Sequence, residues 1–313
     1  MSDEAVLRTE TFAASEPGPK LLITGGVHGD EFEPIAAIWR LIAQLGGDEP
    51  EARLTAGTAT FVPTVNEAAF RNGARTAEDG LDLARVCPGK ADGSVTERTA
   101  HALSRLILAS DYYIDLHSGG IAFSVMPMTG YTLHADVRIA DKQREMARAF
   151  NLPIVWGTAP TLDGRSLSVA RDAGVPAIYA EYHGSGLCDP RGVDAYVDGC
   201  LNVMRWLRMM PGEFDRCCVE LTVEDPRPDS GHMQVCNPSP VNGFFEPSVE
   251  LGQQVQSGDL LGAVIDPTDR ARHELRAQET GVVLVLRTFS RVMAGESVGV
   301  VLATKPDGAR AAL

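Results

Sequence analysis

Two histidines and two carboxylates stand at the ends of three apolar runs. Lys20–Thr24 passes through Gly25-Gly26 into Val27-His28-Gly29-Asp30-Glu31. Tyr112–Leu116 ends at His117-Ser118-Gly119, and Ala177–Ala180 ends at Glu181-Tyr182-His183-Gly184. In an open α/β sheet, functional groups gather beyond the carboxyl ends of the strands. These runs would therefore bring His28, Glu31, His117 and Glu181 to one rim. Two imidazoles and a carboxylate are the ligand set of a catalytic zinc site, with the fourth position left to water. The remaining glutamate is then free to act as general base. His28 in a loop and Glu31 at a helix start can converge on one ion, because residues three apart meet on one side of a helical turn. Asp115 is expected on the opposite face of its strand, as a structural acid and not a ligand. Taken alone, H-x-x-E is a weak signal, since a first-turn acid is favoured by the helix dipole in any case. The coincidence at three strand ends carries the metal reading. Glu181 adds weight, because an unpaired carboxylate ending an apolar strand is costly to bury.

The elements that must position these groups are legible over residues 20–210. Short apolar runs alternate with helical patterns, the form of an α/β fold with a mainly parallel or mixed twisted sheet and helices on both faces. A helix is expected from Glu31, with Phe32, Ile35, Ile38, Trp39 and Ile42 on its apolar side, and a strand over Thr58–Val65. Ser94-Val-Thr-Glu97 is a capping box opening a helix that carries Leu103, Leu106 and Ile107. Val193–Met210 is again helical. Residues 1–221 are read as the catalytic domain, and 222–242, rich in Pro, Asp and Ser, as a linker. Residues 243–313 are read as an all-β domain. Within it, Val255–Ile265 and Val292–Leu302 share the pattern V-x-x-G-[DE]-x-x-G-x-V-[IL], each a tight Gly-acid turn followed by a strand. Paired copies resemble the halves of a biotinyl/lipoyl-type barrel-sandwich module. A carrier of that kind presents a modifiable lysine between its halves. Asp266–Thr280 holds none and the nearest is Lys305, so an appendage is expected rather than a swinging arm.

Composition narrows the partners. Lys+Arg 28 against Asp+Glu 42 gives a net charge of −14 over 313 residues, which argues against gripping nucleic acid or an anionic membrane. No apolar stretch approaches the roughly 20 residues of a membrane span. The start, Met1-Ser-Asp-Glu, lacks the features of a signal peptide, so a cytoplasmic location is expected. Six cysteines, Cys217-Cys218 among them, show no C-x-x-C spacing and are read as free thiols.

The ordered motifs from Leu22 to His183 resemble the succinylglutamate desuccinylase/aspartoacylase family, a branch of the zinc carboxypeptidase-like fold. Gly25–Glu31 (GGVHGDE) matches its first two zinc ligands and Ile114–Gly119 (IDLHSG) its third. Asn66, Asn72-Gly-Ala-Arg75 and Leu81–Gly89 (LDLARVCPG) match its N-P-x-A-x-x-x-G-x-R … D-L-N-R-x-F-P-G signature, and Ala180-Glu181 its strand-end glutamate. The resemblance implies one zinc per chain on His28, Glu31 and His117, with Glu181 as base and Arg75 stabilising the oxyanion. It further implies Arg85 as the clasp of a substrate carboxylate. Asp82 is read as a further substrate contact, and His183 as a candidate for substrate contact or transition-state bonding. Ala84 replaces the family's Asn, Cys87 its Phe and Glu67 its Pro, which leaves the acyl group and the amine open. Cys87 is expected to be a packed thiol. Arg71, Arg75 and Arg85 beside a dication predict a locally positive pocket in an acidic chain, although Glu78, Asp79 and Asp82 share the stretch.

The function expected is hydrolysis of the amide of a small N-acyl amino acid or amine. A zinc carboxypeptidase or esterase acting on another small substrate is the alternative, and a barrel-sandwich carrier or binding protein the non-enzyme one. The partner expected is a small molecule, with a homo-oligomer left open.

Overall fold

Alternate residues of one strand divide the core into two layers. In the computed structural model, which describes residues 7–47, 53–214, 218–228, 230–233 and 236–304, strand β2 (Glu16–Thr24) sends Leu21 and Ile23 to one face of the sheet and Leu22 to the other. Leu21 and Ile23 pack with helices α1 (Phe32–Leu45), α4 (Val137–Phe150) and α6 (Pro190–Trp206). Leu22 packs with α3 (Val95–Leu108) and α5 (Ser166–Ala173). A strand covered on both faces must be apolar at successive positions, which is why these runs read without alternation.

β3 (Ala56–Val62), β2, β4 (Tyr112–His117) and β7 (Ala177–Gly184) lie side by side and parallel, with β1 (Glu10–Ala13) antiparallel on the outer edge of β3. β5 (Phe123–Thr132) runs antiparallel to β7, so the sheet is mixed. At β5 the sheet forks. Phe123–Val125 pair with β13 (Gly281–Arg287), whereas Met128–Thr132 pair with β6 (Ile154–Thr158), and β6 carries β8 (Leu221–Glu224). The pairing of β5 with β7 shifts between Val125 and Met128, around Pro127, which has no N–H to give a ladder. Residues 222–224, the start of the expected linker, thus belong to a strand of this sheet.

Two local expectations meet different outcomes. The capping box of α3 is present: Ser94 Oγ accepts from the Glu97 N–H at 3.4 Å, and Glu97 Oε2 accepts from the Ser94 N–H at 2.9 Å. The apolar side of α1 is set differently from the expectation. Pro34, Ala37, Ile38, Leu41 and Leu45 are buried and Trp39 is 53% exposed. The true 3–4 spacing runs through small Ala37 to Leu41 and Leu45, and the bulk of Trp39 drew the reading to the wrong flank.

Beyond Asn242 the described residues form strands and turns: β9 (Gly243–Pro247), β10 (Gln254–Val255), β11 (Leu260–Ile265), β12 (Arg272–Arg276), β13, β14 (Arg291–Val292) and β15 (Gly299–Ala303). Each copy of the repeat is a short strand, a tight turn and a longer strand. Gly258 and Gly295 take left-handed φ of 95° and 88°. In each turn the following acid caps the loop: Asp259 Oδ2 accepts from the Gln256 N–H at 2.8 Å, and Glu296 Oε2 from the Met293 N–H at 3.0 Å. Lys305 lies outside the described residues. Among those residues no helix is long and apolar enough to cross a membrane.

Candidate metal centre and catalytic cavity

Glu31 is the residue around which the rim is built. It is the N-cap of α1, almost wholly buried, with its carboxylate between two imidazoles. Oε1 lies 2.6 Å from His28 Nδ1 and Oε2 lies 3.0 Å from His117 Nδ1. His28 comes from the loop after β2, and His117 is the last residue of β4. One ligand atom from each of the three lies within 4.8 Å of the others. Each imidazole turns its second nitrogen to another carboxylate. His28 Nε2 is 3.1 Å from Asp82 Oδ1, and His117 Nε2 is 3.2 Å from Asp115 Oδ2. Carboxylates behind ligand histidines fix ring orientation and tautomer in metal sites.

The donor set fits a divalent cation. With their Nε2–H groups given to Asp82 and Asp115, both Nδ1 lone pairs face an anionic Glu31, and an electron-rich cluster of that kind requires positive charge at its centre. Without a metal, protons must supply it. Burial alone would lower both histidines, yet their acid neighbours push His28 up and His117 well above the ordinary histidine value. Burial would raise Glu31, but the two histidines hold it far below the usual carboxylate range.

Asp115 corrects its expectation. Positions 115 and 117 are two apart and so share a face of β4. The acid is fully buried and bonded by Thr24 Oγ1 at 2.8 Å and by Ser166 Oγ. The parity was present in the sequence and points to the opposite conclusion from the one drawn. Asp82, expected at the substrate, is occupied instead. Its Oδ2 accepts from Arg75 Nε and Nη2 at 3.1 and 3.0 Å, and its Oδ1 accepts from the Ala84 N–H at 2.9 Å. It holds His28 and Arg75 in place.

Glu181 sits on β7 directly across from His117 in the strand register. It is 6% exposed, and among the described residues its Oε2 has no hydrogen-bond partner. Burial pushes its carboxyl up to about 7, with His117 opposing and Glu31 reinforcing the shift. His28, His117, Arg75, Arg85 and Glu181 line one cavity of about 70 Å³, with Ala84 at its side. His183 is not among its lining residues. It lies within β7, opposite Val125, with a left-handed φ of 41°, and its Nδ1 lies 3.5 Å from Asp189 Oδ2.

The sequence reading missed Arg165, the residue before α5, and Tyr179, two before Glu181 on the same face; both line the cavity. Nothing marked Arg165, whereas Tyr179 could have been found by the parity that places Glu181. Arg165 Nη1 donates to the Gly231 carbonyl at 3.3 Å. Burial, with Arg165 nearby, pushes Arg85 down to about 10. Two half-buried guanidiniums lining one cavity make it attractive to an anion. Cys87 is buried and its thiol is pushed up to about 12 by burial, so it is a packed thiol. Cys217 lies outside the described residues.

Residues 17–207 match the model of the succinylglutamate desuccinylase/aspartoacylase catalytic domain. The chain is 30% identical over 306 residues to N-alpha-acetyl-L-2,4-diaminobutyric acid deacetylase of Halomonas elongata, covering 95% of this chain and 86% of the relative. It superposes on a succinylglutamate desuccinylase/aspartoacylase from Rhodobacter sphaeroides with a TM-score of 0.83 and 27% identity, over 96% of this chain and 90% of that one. The product-bound ectoine utilization protein EutE (DoeB) from Ruegeria pomeroyi gives 0.83 and 29%, over 95% and 88%. The chain belongs to the succinylglutamate desuccinylase/aspartoacylase family.

Proposed function

We propose that this protein is a zinc-dependent deacylase that hydrolyses the amide of a small N-acyl amino acid. The observation that carries this reading is Glu31 between two carboxylate-tethered imidazoles, with an unpartnered, buried Glu181 on the adjoining strand. His28, Glu31 and His117 would hold the ion. When bound, it supplies a Lewis acid for the acyl carbonyl and an acidified water.

Glu181 Oε2 takes a proton from the attacking water as the water oxygen bonds to the acyl carbon. The same carboxyl returns the proton to the nitrogen as the C–N bond breaks, so a free amine and a carboxylate leave. A base titrating near neutral pH suits both steps. Arg75, held by Asp82, faces the cavity and donates to the developing oxyanion, a contact worth about 2.7–4 kcal/mol in comparable sites. Arg85 and Arg165 bind the substrate carboxylate, for which a planar guanidinium is well suited. His183 is left out, because it lies off the cavity.

The Halomonas relative favours an N-acetyl diamino acid as first substrate to assay. The restricted cavity favours small substrates over peptides. Residues 222–242, read as the link to a C-terminal β domain of residues 243–313, would close one side of the site, since Gly231 and Met233 line the cavity. A panel of N-acetyl-diaminobutyrate, N-acetylaspartate, N-succinylglutamate, a C-terminal dipeptide and an acetyl ester, each with and without a chelator, tests the proposal. Chelator-sensitive amine release from an N-acyl amino acid is expected. Turnover of the dipeptide or ester alone would sink the deacylase reading.

A further inference from the structure

The fork in the sheet encloses a second cavity of about 350 Å³, between Trp156 of β6, Asp225 just after β8, and β15. Among the described residues it shares only Gly231 with the lining of the catalytic cavity. Among the described residues, strand β15 pairs on one side alone, with β13. The direction of its other side can be read from Gly299. Its N–H donates to Ser297 Oγ at 3.2 Å and its carbonyl accepts from Asn237 Nδ2 at 3.0 Å, so Gly299 faces away from β13. In an antiparallel ladder, residues two apart face the same way. The N–H and C=O groups of Val301 and Ala303 therefore face the Asn237 side, and both residues line the cavity.

Two side chains add to this edge. Trp156 and Asn237 are each 5% exposed and line the same cavity. Among the described residues, neither the Trp156 Nε1–H donor nor the Asn237 Oδ1 acceptor has a hydrogen-bond partner. Buried groups of this kind are normally satisfied by protein, water or ligand. A strand edge, an indole donor and an amide acceptor together match the alternating donors and acceptors of an extended amide. The charged wall is Asp225, Arg227 and Glu279. Arg227 is shared between both acids, at 2.7 Å from Asp225 Oδ2 and 2.8 Å from Glu279 Oε1. One net negative charge remains, opposite in sign to the arginine-lined catalytic cavity.

We propose that the sheet fork is a second binding site, which takes a small extended amide that is neutral or cationic and disfavours carboxylates. The ligand lies along the outer edge of β15, with its carbonyl accepting from Trp156 Nε1–H and its N–H donating to Asn237 Oδ1. Gly231 stands between the two cavities, so the site touches the same segment that bounds the catalytic one.

The test uses the whole 15N-labelled protein, whose three tryptophans give three indole N–H signals; W156F assigns the one that matters. Titration with N-acetyl-L-alanine methylamide should move the Trp156 signal saturably while those of Trp39 and Trp206 stay in place. N-acetyl-L-alanine, with its free carboxylate, should bind this site about tenfold more weakly. Asn237→Ala should abolish the shift without changing turnover of an N-acyl substrate. If that variant does not fold, intermolecular NOEs between the probe methyls and the Trp156 ring in the wild-type protein serve instead, and their presence supports the site. No movement of the Trp156 signal at millimolar probe means a water-filled cavity and overturns the proposal. So does an equal shift from the methyl ester analogue, or tighter binding of the free acid.

Discussion

The rim at the ends of β2, β4 and β7 and the repeat beyond Asn242 both place acids beside glycines, with opposite results. In the repeat, Asp259 and Glu296 are exposed, and each carboxylate accepts from a backbone N–H three residues back, Glu296 also from Arg287 Nη2 at 3.1 Å. At the rim, Glu31, Asp115 and Glu181 are buried. Glu31 and Asp115 are held by imidazoles, and Glu181 keeps one oxygen without a partner. An acid that closes its own turn is architecture, because solvent and its own turn or a neighbouring cation satisfy it. A buried acid with an oxygen to spare costs stability and needs another reason to be there.

Breaking the rim should have the largest consequence. Glu31→Gln removes the charge that gathers both imidazoles, and should abolish zinc binding by metal analysis together with turnover. Asp115→Asn and Asp82→Asn leave all three proposed ligands in place but loosen one imidazole each. About 10–100-fold weaker metal affinity is expected, measured by competition with a chromogenic chelator. Wild-type affinity in both variants would reduce these acids to packing.

The pH profile sharpens the same contrast. Burial pushes Glu181 up to about 7, and a nearby dication favours the carboxylate and lowers it again. Because the base acts deprotonated, kcat should fall as pH drops through its pKa, with the acid limb of zinc-loaded protein expected below about 7. An acid limb that persists unchanged in Glu181→Asp and Glu181→Gln would assign it to another group. In the repeat the effects should be smallest. Gly295 has a left-handed φ of 88° and nothing within contact distance of an added Cβ, so Gly295→Ala should cost only the backbone strain, about 1–2 kcal/mol by denaturant titration, with turnover unchanged.

Much of the rim was legible because strands buried on both faces declare themselves as apolar runs, and their ends are fixed by Gly25-Gly26, Ser118-Gly119 and Gly184. The turn chemistry of Ser94–Glu97 and of the paired repeat was equally local. What escaped was long-range or mixed in pattern. β5 (SVMPMTGYT within Phe123–Thr132) holds proline and glycine and alternates poorly, so neither the strand nor the fork at Pro127 was visible. Arg165 reaches the cavity only because α5 packs against β7, which no local signal reports. His183 illustrates the converse: it was read as a substrate contact from its place at a strand end, and with a left-handed φ of 41° its imidazole lies beside Asp189.

The central claim is tested most directly by measuring zinc content and deacylation on the same preparations of wild-type protein and Glu181→Gln. About one zinc per chain is expected in both, with turnover of an N-acyl amino acid lower by about 10²–10⁴-fold in the variant. Full activity in metal-free wild-type protein, or in zinc-loaded Glu181→Gln, would contradict the account.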